Sequence, residues 1–143
     1  MGVISAIGND TAENYEALIN GRHGISDIEL LETRHKGTLK VGEIKTTNEE
    51  FIRQLGLPAD TNFTRTTFLA LTAAKEAVEN AGICDINEFR TGIISSTSVG
   101  GMDMSEKYFY DYEQLPEKQK FIISHEAGFS TAAVADLLGL KGI

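Results

Sequence analysis

The sequence predicts an α/β fold in which helices pack against a mixed sheet. Short apolar runs at residues 2–8, 40–44 and 92–98 have the length and composition of strands. Longer segments with helical spacing of apolar residues lie between them, and the clearest of these is at residues 64–81. Strands that alternate with helices need crossover connections, which are typical of an α/β domain.

Two helices are predicted in the first half of the chain from their end signals. Each begins at an Asp or Thr that is followed three residues later by Glu, which is the spacing of a capping box, and each ends at a glycine. These residues are Asp10, Glu13 and Gly21 for the first helix, and Thr47, Glu50 and Gly56 for the second. Apolar residues at Tyr15, Leu18 and Ile19 predict the buried face of the first helix. Residues 22–36 are predicted to be irregular.

The second half of the chain is organised around the Ala-rich helix at residues 64–81, which ends at Gly82. Its small side chains predict close packing against a flat surface such as a sheet. The strand at 92–98 is expected to run into a glycine-containing loop at 99–101. Further helices are predicted at 105–112 and 130–138, with a brief apolar run at 121–123 between them and Gly139 at the end.

Composition limits the class of protein. A chain of 143 residues has the length of one domain, and 41% hydrophobic with 24% charged residues is typical of a globular protein. The net charge of −8 argues against nucleic-acid binding, which needs clustered basic residues. One cysteine excludes an internal disulfide and a cysteine-based zinc site. The sequence has neither a long apolar run nor a signal-peptide pattern, so we expect no membrane span and a cytoplasmic location.

The serine- and glycine-containing stretch at residues 95–101 is the most suggestive local motif. Free N–H groups in a glycine turn can hold an anion, and a plain tight turn at the end of a strand is the alternative. The stretch has neither the Gly-Lys-Ser/Thr of a Walker loop nor the three spaced glycines of a dinucleotide fingerprint.

The cysteine and the histidines suggest no catalytic site. Cys84 follows the predicted end of a helix and precedes Asp85, and both features disfavour a thiolate, so we interpret it as a structural cysteine. His23 and His35 lie among basic residues and are expected to be solvated, whereas His125 follows an apolar run and is expected to be partly buried. We expect no metal site and no cofactor. The aromatic stretch at 102–114 predicts a helix that covers a partner, and a ligand-binding surface is the alternative.

Six stretches of the chain carry a more specific pattern. Residues 1–9 are similar to T-G-M-G-x-x-S-P-x-G with Ala6 in place of Pro, 15–25 to W-x-x-L-x-x-G-x-S-G-I, 41–44 to A-G-E-V, 63–83 to R-F-x-x-x-A-L-x-A-A-x-x-A-L-x-x-A-G, 92–101 to G-V-x-x-G-x-x-x-G-G and 139–142 to G-L-x-G-P. Their order and spacing resemble the N-terminal part of a β-ketoacyl-acyl-carrier-protein synthase. Residues 125–138 depart from the fatty-acid type and resemble a divergent branch that makes polyene or other secondary products.

The resemblance implies a partial thiolase-like α/β fold and an acyltransferase that condenses an acyl thioester with malonyl-carrier protein. It places the nucleophilic Cys just after G-L-x-G-P and two His and a Lys later still. Neither Cys84 nor any histidine of this chain matches those positions. We therefore expect residues 1–143 to be a partial synthase domain, truncated at both ends, with no catalytic residue and no activity of its own.

The resemblance also suggests two substrate-binding residues and two partners. Val99, before the glycine pair, corresponds to a residue of the acyl pocket, and Phe121 to an aromatic that lines the pocket of the partner subunit; ordinary core packing is the alternative for both. A homodimer and an acidic acyl carrier protein are the implied partners. Members of the family often meet the carrier through basic residues before the Ala-rich helix, but residues 57–62 contain none, and Arg65 is the nearest candidate. A non-catalytic interaction module is the alternative function.

Overall fold

A computed structural model of the chain describes residues 1–141. Helices form most of its regular structure. In chain order the elements are α1 (Thr11–Ile19), β1 (Ile25–Asp27), β2 (Lys40–Gly42), α2 (Asn48–Leu55), α3 (Arg65–Asn80), α4 (Met102–Tyr108), a 3₁₀ turn (Pro116–Lys118), α5 (Gln119–Ile123) and α6 (Ala127–Leu137). None of these helices is long and apolar enough to cross a membrane.

The two strands form a small antiparallel sheet in which Ile25 lies opposite Gly42 and Asp27 opposite Lys40. The strand predicted at residues 40–44 is confirmed as β2. Its partner β1 lies within residues 22–36, so the prediction that this segment is irregular is wrong at Ile25–Asp27. The sequence gives no signal for this strand, because it has only three residues and no alternating polarity.

The strands predicted at residues 2–8 and 92–98 are wrong for the part of the chain that the structure describes. In the first, the backbone N–H of Ser5 donates to the carbonyl of Gly8 at 2.9 Å, so the apolar run closes into a turn. In the second, the side chain of Ile94 is fully exposed. A strand exists only where another strand accepts and donates its backbone hydrogen bonds, and residues 1–141 supply no such partner to either run. The predicted mixed sheet is therefore absent there, and helices with a two-stranded sheet are consistent with a partial α/β domain.

The predicted helix ends are confirmed where capping residues are local. The Asp10 side chain accepts the N–H of Glu13 at the start of α1, and Thr47 and Glu50 form a reciprocal capping box at the start of α2. The glycines predicted to end helices adopt positive φ angles at the chain reversals; they are Gly21, Gly56, Gly82 and Gly139. The helix predicted at 105–112 lies instead at Met102–Tyr108, and that predicted at 130–138 begins at Ala127.

The buried face of α1 differs from the predicted one. Tyr15, Leu18 and Ile19 are each about two-thirds exposed, whereas Asn14 and Ala17 are buried. Asn14 is buried because its amide donates to the carbonyls of Gly8 and Asp10, which holds the preceding turn against the helix. The apolar stripe of α1 is therefore real, but it lies on the surface of the described structure.

The core lies where α3 packs between α2 and α6. Phe51 of α2 and Phe68 of α3 stack with ring centroids 5.9 Å apart, and both side chains are fully buried. Leu71 of α3 and Val134 of α6 complete this centre. Phe63 meets Phe68 of α3 edge-on at 6.2 Å and Phe129 of α6 at 6.0 Å, so it joins the α6 side of the core to the α2 side.

The alanines of α3 pack against the backbone of the N-terminal segment, and not against the sheet that was predicted. The backbone of Gly2 lies so near Ala73 and Ala77 that a methyl group on Gly2 would overlap the carbonyl of Ala73. Small residues on both sides are therefore required for the N-terminal segment to cross α3. Gly142, at the end of the similarity to G-L-x-G-P, lies outside the described residues.

Candidate functional site

The glycine pair Gly100–Gly101 is held against the junction between α5 and α6. A Cβ on Gly100 would overlap the carbonyl oxygen of His125, and a Cβ on Gly101 would overlap that of Ser124 and lie 2.5 Å from Cγ2 of Thr64. No side chain fits in either place. The glycines are thus explained by a close approach of two backbone segments.

Side-chain hydroxyls in the loop before the glycines form hydrogen bonds with backbone groups of the same loop and with α6. Thr97 Oγ1 accepts the backbone N–H of Val99 at 3.1 Å and donates to the carbonyl of the same residue at 2.6 Å. Ser95 is hydrogen-bonded to Thr131 of α6. This arrangement occupies the N–H of Val99, which an anion would need, and favours the tight-turn interpretation of residues 95–101 over the anion site.

The start of α3 anchors the same loop. Thr66 Oγ1 donates to the carbonyl of Gly100 at 3.2 Å. Asp103 of α4 accepts the backbone N–H of Arg65 at 2.9 Å and so satisfies one of the free donors at the first turn of α3. Residues 99–103 are therefore fixed from both sides, by α3 and by the segment that follows α5.

The two predicted substrate-binding residues lie in adjoining segments. Val99 is about half exposed and immediately precedes the glycines that pack on Ser124 and His125. Phe121 lies in α5, where its carbonyl accepts the Ser124 hydroxyl at 2.6 Å. The Phe121 ring is half-buried and stacks on Tyr108 at 4.7 Å. The structure thus brings the two segments together, while the substrate-binding role of both side chains stays a prediction.

A serine and a histidine meet beside this loop, a pairing that the sequence analysis missed. Ser105 Oγ lies 2.9 Å from His125 Nδ1. They line a shallow cleft of about 240 Å³ with Met102, Glu106, Phe109 and Tyr110. His125 is exposed, so its predicted partial burial is wrong. The two residues are separated by 20 positions, and no spacing in the sequence could have paired them.

The geometry does not make this pair an activated nucleophile. Ser105 Oγ is also 3.2 Å from the carbonyl of Gly101, four residues earlier, as is common for serine inside a helix. Activation of a serine needs a base that a third group orients, and no carboxylate hydrogen-bonds to His125 within residues 1–141. The contact therefore ties α4 to the α5–α6 junction.

The remaining candidate residues are peripheral. Cys84 is an exposed free thiol whose Sγ lies 3.7 Å from the carbonyl of Gly82. His23 and His35 are exposed, as predicted. Among the described residues, no group of three His, Cys, Asp or Glu is arranged to hold a metal ion.

The side chain of Arg65 forms hydrogen bonds within the domain. Its guanidinium donates to the carbonyls of Ile44 at 2.6 Å and Thr46 at 3.0 Å, and to Asn48 Oδ1 at 3.1 Å. It also lies over the ring of Phe51, 5.8 Å from the centroid. The nearest base to residues 57–62 therefore holds the β2–α2 connection onto α3 and uses three of its five guanidinium N–H donors there.

Glu43 holds the loop after β1 through backbone hydrogen bonds. Its carboxylate accepts the N–H groups of Glu29 and Leu31, both at 2.8 Å, and of Leu30 at 3.1 Å. Burial of the side chain, which is 9% exposed, raises the pKa of this carboxyl group. The three N–H donors and the ammonium of Lys45 outweigh burial and lower the pKa from 4.5 to about 2.

Comparisons with known proteins agree on one family. Residues 1–143 match the family described as Beta-ketoacyl synthase, N-terminal domain. The chain is 34% identical to 3-oxoacyl-[acyl-carrier-protein] synthase 2 of Staphylococcus aureus over 99% of its own length and 36% of the relative's. It is 30% identical to the chloroplastic 3-oxoacyl-[acyl-carrier-protein] synthase II of Arabidopsis thaliana over 78% of its own length and 20% of the relative's.

The chain thus spans about a third of the length of the bacterial relative that it matches over nearly all of its own residues. The thiolase-like fold predicted from the motifs is inferred from this family. The match across all 143 residues shows that the chain belongs to the β-ketoacyl synthase family, whose N-terminal domain it matches.

Proposed function

We propose that this chain is the N-terminal part of a 3-oxoacyl-acyl-carrier-protein synthase. The observation that supports this most strongly is the family match over residues 1–143, together with relatives that carry that name. The close packing of Gly100 and Gly101 on the backbone of Ser124 and His125 gives a physical reason for the glycine pair of the family's motif.

The proposed reaction joins two thioesters. An acyl group passes from its carrier thiol to a cysteine thiolate, and the carrier leaves as a thiol. A malonyl thioester then loses carbon dioxide, and the resulting carbanion attacks the acyl-enzyme, which forms the new carbon–carbon bond and releases the cysteine. The cysteine and the two histidines of this scheme belong, by the motif order, to residues beyond G-L-x-G-P.

Residues 1–143 alone should be inactive in this scheme. Cys84 is exposed beside a helix C-terminus, and no carboxylate in the described part of the chain orients the Ser105–His125 pair. The test is to assay the purified 143-residue polypeptide for carbon dioxide release and 3-oxoacyl product with acyl- and malonyl-carrier substrates. A longer chain that extends past G-L-x-G-P to the cysteine that the resemblance implies is the positive control. Condensation by the short polypeptide would overturn the assignment of catalysis to later residues.

The acyl pocket is proposed to include Val99 and Phe121. Val99 is half exposed at the end of a fixed loop, so a larger side chain can be placed there without disturbing the core. Val99→Phe in the longer chain should shorten the preferred acyl group, whereas the same change at the exposed Ile94 should not. Unchanged chain-length preference in Val99→Phe would remove this residue from the pocket.

A homodimer is proposed as the assembly, and a non-catalytic interaction module as the second function. Large apolar side chains are unusually exposed for a domain of this size; they include Leu18, Phe89, Ile94, Phe109 and Tyr110, each at least 59% exposed. Light scattering at several concentrations tests the assembly. A compact monomer at all concentrations would contradict both the homodimer and the interaction module.

A further inference from the structure

The hydroxyl of Thr66 joins α3 to the loop that carries Val99. Thr66 Oγ1 donates to the carbonyl of Gly100 at 3.2 Å, and it also lies 3.4 Å from the carbonyl of Val99. Its one proton is shared between these two consecutive carbonyls. Among residues 1–141, Thr66 is the one residue that donates to the Gly100 carbonyl. The contact therefore fixes the backbone directly after Val99.

Thr66 lies on a rigid part of the fold. Its neighbours on α3, Thr67 and Phe68, are fully buried in the core. The side chain of Thr64 accepts the N–H of Thr67 and caps this end of the helix. A threonine side chain is branched at Cβ and has few χ1 rotamers in a helix. The position of the Thr66 hydroxyl is therefore set by α3 and the core, and not by the loop that it holds.

The packing around Val99 is too sparse to hold its side chain, which is 47% exposed. Thr97 forms two hydrogen bonds with the backbone of Val99, but Thr97 belongs to the same loop and moves with it. Before Val99, the nearest hydrogen bond from this loop to a helix joins Ser95 to Thr131, four residues earlier. The position of the Val99 side chain relative to the core thus depends on the Thr66 hydroxyl.

The glycine contacts limit the loop on its other side without bonding it. Gly100 and Gly101 lie against the carbonyls of His125 and Ser124, which leaves no room for a side chain. No backbone hydrogen bond joins these two segments in the part of the chain that the structure describes. These contacts therefore limit how closely the loop approaches its neighbour, whereas Thr66 supplies an attraction that holds it.

We propose that Thr66 is a positioning residue which, by holding Val99, sets the acyl-chain preference of the synthase. This inference rests on the proposed function, because the place of Val99 in the acyl pocket belongs to it. A pocket residue held in one position rejects acyl chains that are slightly too long, whereas a mobile one tolerates them. Loss of the Thr66 hydroxyl should thus widen the range of accepted acyl groups and not simply slow the reaction.

The test is condensation by the full-length protein with acyl-carrier substrates of increasing chain length. Thr66→Val keeps the shape of the side chain and removes its donor. It should lower the ratio of kcat/KM between the preferred and the next longer acyl group by about threefold or more, as expected for loss of one neutral hydrogen bond. Thr66→Ser keeps the donor and should retain the ratio.

Thr72→Val is the matched control, because Thr72 lies on the same helix and its hydroxyl donates at 2.9 Å to the Phe68 carbonyl within α3. It should leave the ratio unchanged. Thermal unfolding of all three variants reports on the fold, and a loss of stability alone would slow condensation with every acyl group equally. An unchanged ratio in Thr66→Val, or an equal change in Thr72→Val, would overturn the role of Thr66.

Hydrogen exchange gives a second readout that needs no reaction. The amide of Val99, whose N–H is accepted by Thr97, should exchange about threefold faster in Thr66→Val and at the unmodified rate in Thr66→Ser. Equal exchange in Thr66→Val and the unmodified protein would contradict the positioning of Val99 by Thr66. No condensation by the unmodified protein would contradict the proposed function and with it the chain-length role, whereas condensation with an unchanged ratio would contradict the role of Thr66 alone.

Discussion

The backbone of Gly101 lies directly against the carbonyl oxygen of Ser124, with no room between them for a side chain. This contact joins the loop before α4 to the end of α5. It also explains why Ser105 and His125 can reach each other, because each follows one of the two segments within four residues. The glycine pair is therefore a packing requirement that positions Val99 relative to α5.

Gly101→Ala should destabilise the protein by about 1 to 3 kcal/mol or more. The added methyl group would overlap the Ser124 carbonyl and crowd the side chain of the fully buried Thr64, so a backbone segment must move. Urea unfolding measures the loss. Gly128→Ala is the matched control, since nothing lies within 4 Å of a Cβ there and the position is inside α6.

The control should change stability in the opposite direction. Alanine favours helix over glycine by up to about 1 kcal/mol, so Gly128→Ala should be neutral or stabilising. If both variants lost stability equally, the close approach of Gly101 and Ser124 would not be the cause.

Glu43→Gln should destabilise the protein near neutral pH by about 2 to 3 kcal/mol. The folded-state pKa of Glu43 is lowered to about 2 from 4.5, so its charged form contributes stability that is fully present above pH 4.5. That contribution is lost as pH falls from 4.5 toward 2. The difference in unfolding free energy between the two proteins should therefore shrink over this range.

The pH dependence distinguishes this cause from a simple loss of packing. Glu79→Gln removes a charge from an exposed position on α3 and should leave the unfolding free energy nearly unchanged near neutral pH. A Glu43→Gln effect of constant size from pH 7 to pH 2 would contradict the lowered pKa.

Local signals predicted α1, α2 and α3 with their ends, whereas α4 and α6 begin three residues earlier than predicted and α5 was not predicted as a helix. Contacts between distant residues could not be predicted from the sequence. The capping box of Thr47 and Glu50 and the positive φ of Gly56 depend on residues within one or two turns of each other. The exposed Ile94 shows the limit for strands. An apolar run has the composition of a buried strand, but it carries no information on whether a neighbouring strand is present to pair with it.

For the candidate site too, local motifs could be read from the sequence, whereas contacts between distant residues could not. The motifs pointed to Val99 and to the glycine pair, because close backbone contacts restrict residue type to glycine. They did not reveal the pairing of Ser105 with His125, since it depends on how α4 meets the junction between α5 and α6. The apolar stripe of α1 shows a third case. Its periodicity is helical, but Tyr15 and Leu18 are exposed, because periodicity does not tell which surface covers a face.

Arg65→Lys should destabilise the protein by about 1 to 2 kcal/mol although it retains the charge. A lysine ammonium cannot reproduce the planar fork that donates to the carbonyls of Ile44 and Thr46 and to Asn48 at once. Thermal unfolding measures the change. Arg53→Lys on the exposed face of α2 is the control and should have little effect. Equal midpoints for the two variants would show that the bonds of Arg65 add nothing to stability.

Glu76→Ala should release the N-terminal segment without unfolding α3. One carboxylate oxygen of Glu76 accepts the N–H of Thr11 and the other accepts that of Val3, both at 2.7 Å, so a single side chain holds the start of α1 and the segment before it. Hydrogen bonds from the N–H and side chain of Thr11 are the main reason that the pKa of Glu76 lies below its usual value, and burial opposes them.

Loss of a charge-assisted bond corresponds to about tenfold faster local opening. Hydrogen exchange should therefore accelerate at Val3 and Thr11 in Glu76→Ala, remain unchanged at Phe68 and Leu71 in the core, and be unaffected throughout in Glu79→Ala. Because the folded pKa is lowered, the protection of these two amides in the unmodified protein should also fall as pH drops below the ordinary range of a glutamate. Protection at Val3 and Thr11 that survives both the substitution and acid would show that the turn between Ser5 and Gly8, and not Glu76, holds this segment in place.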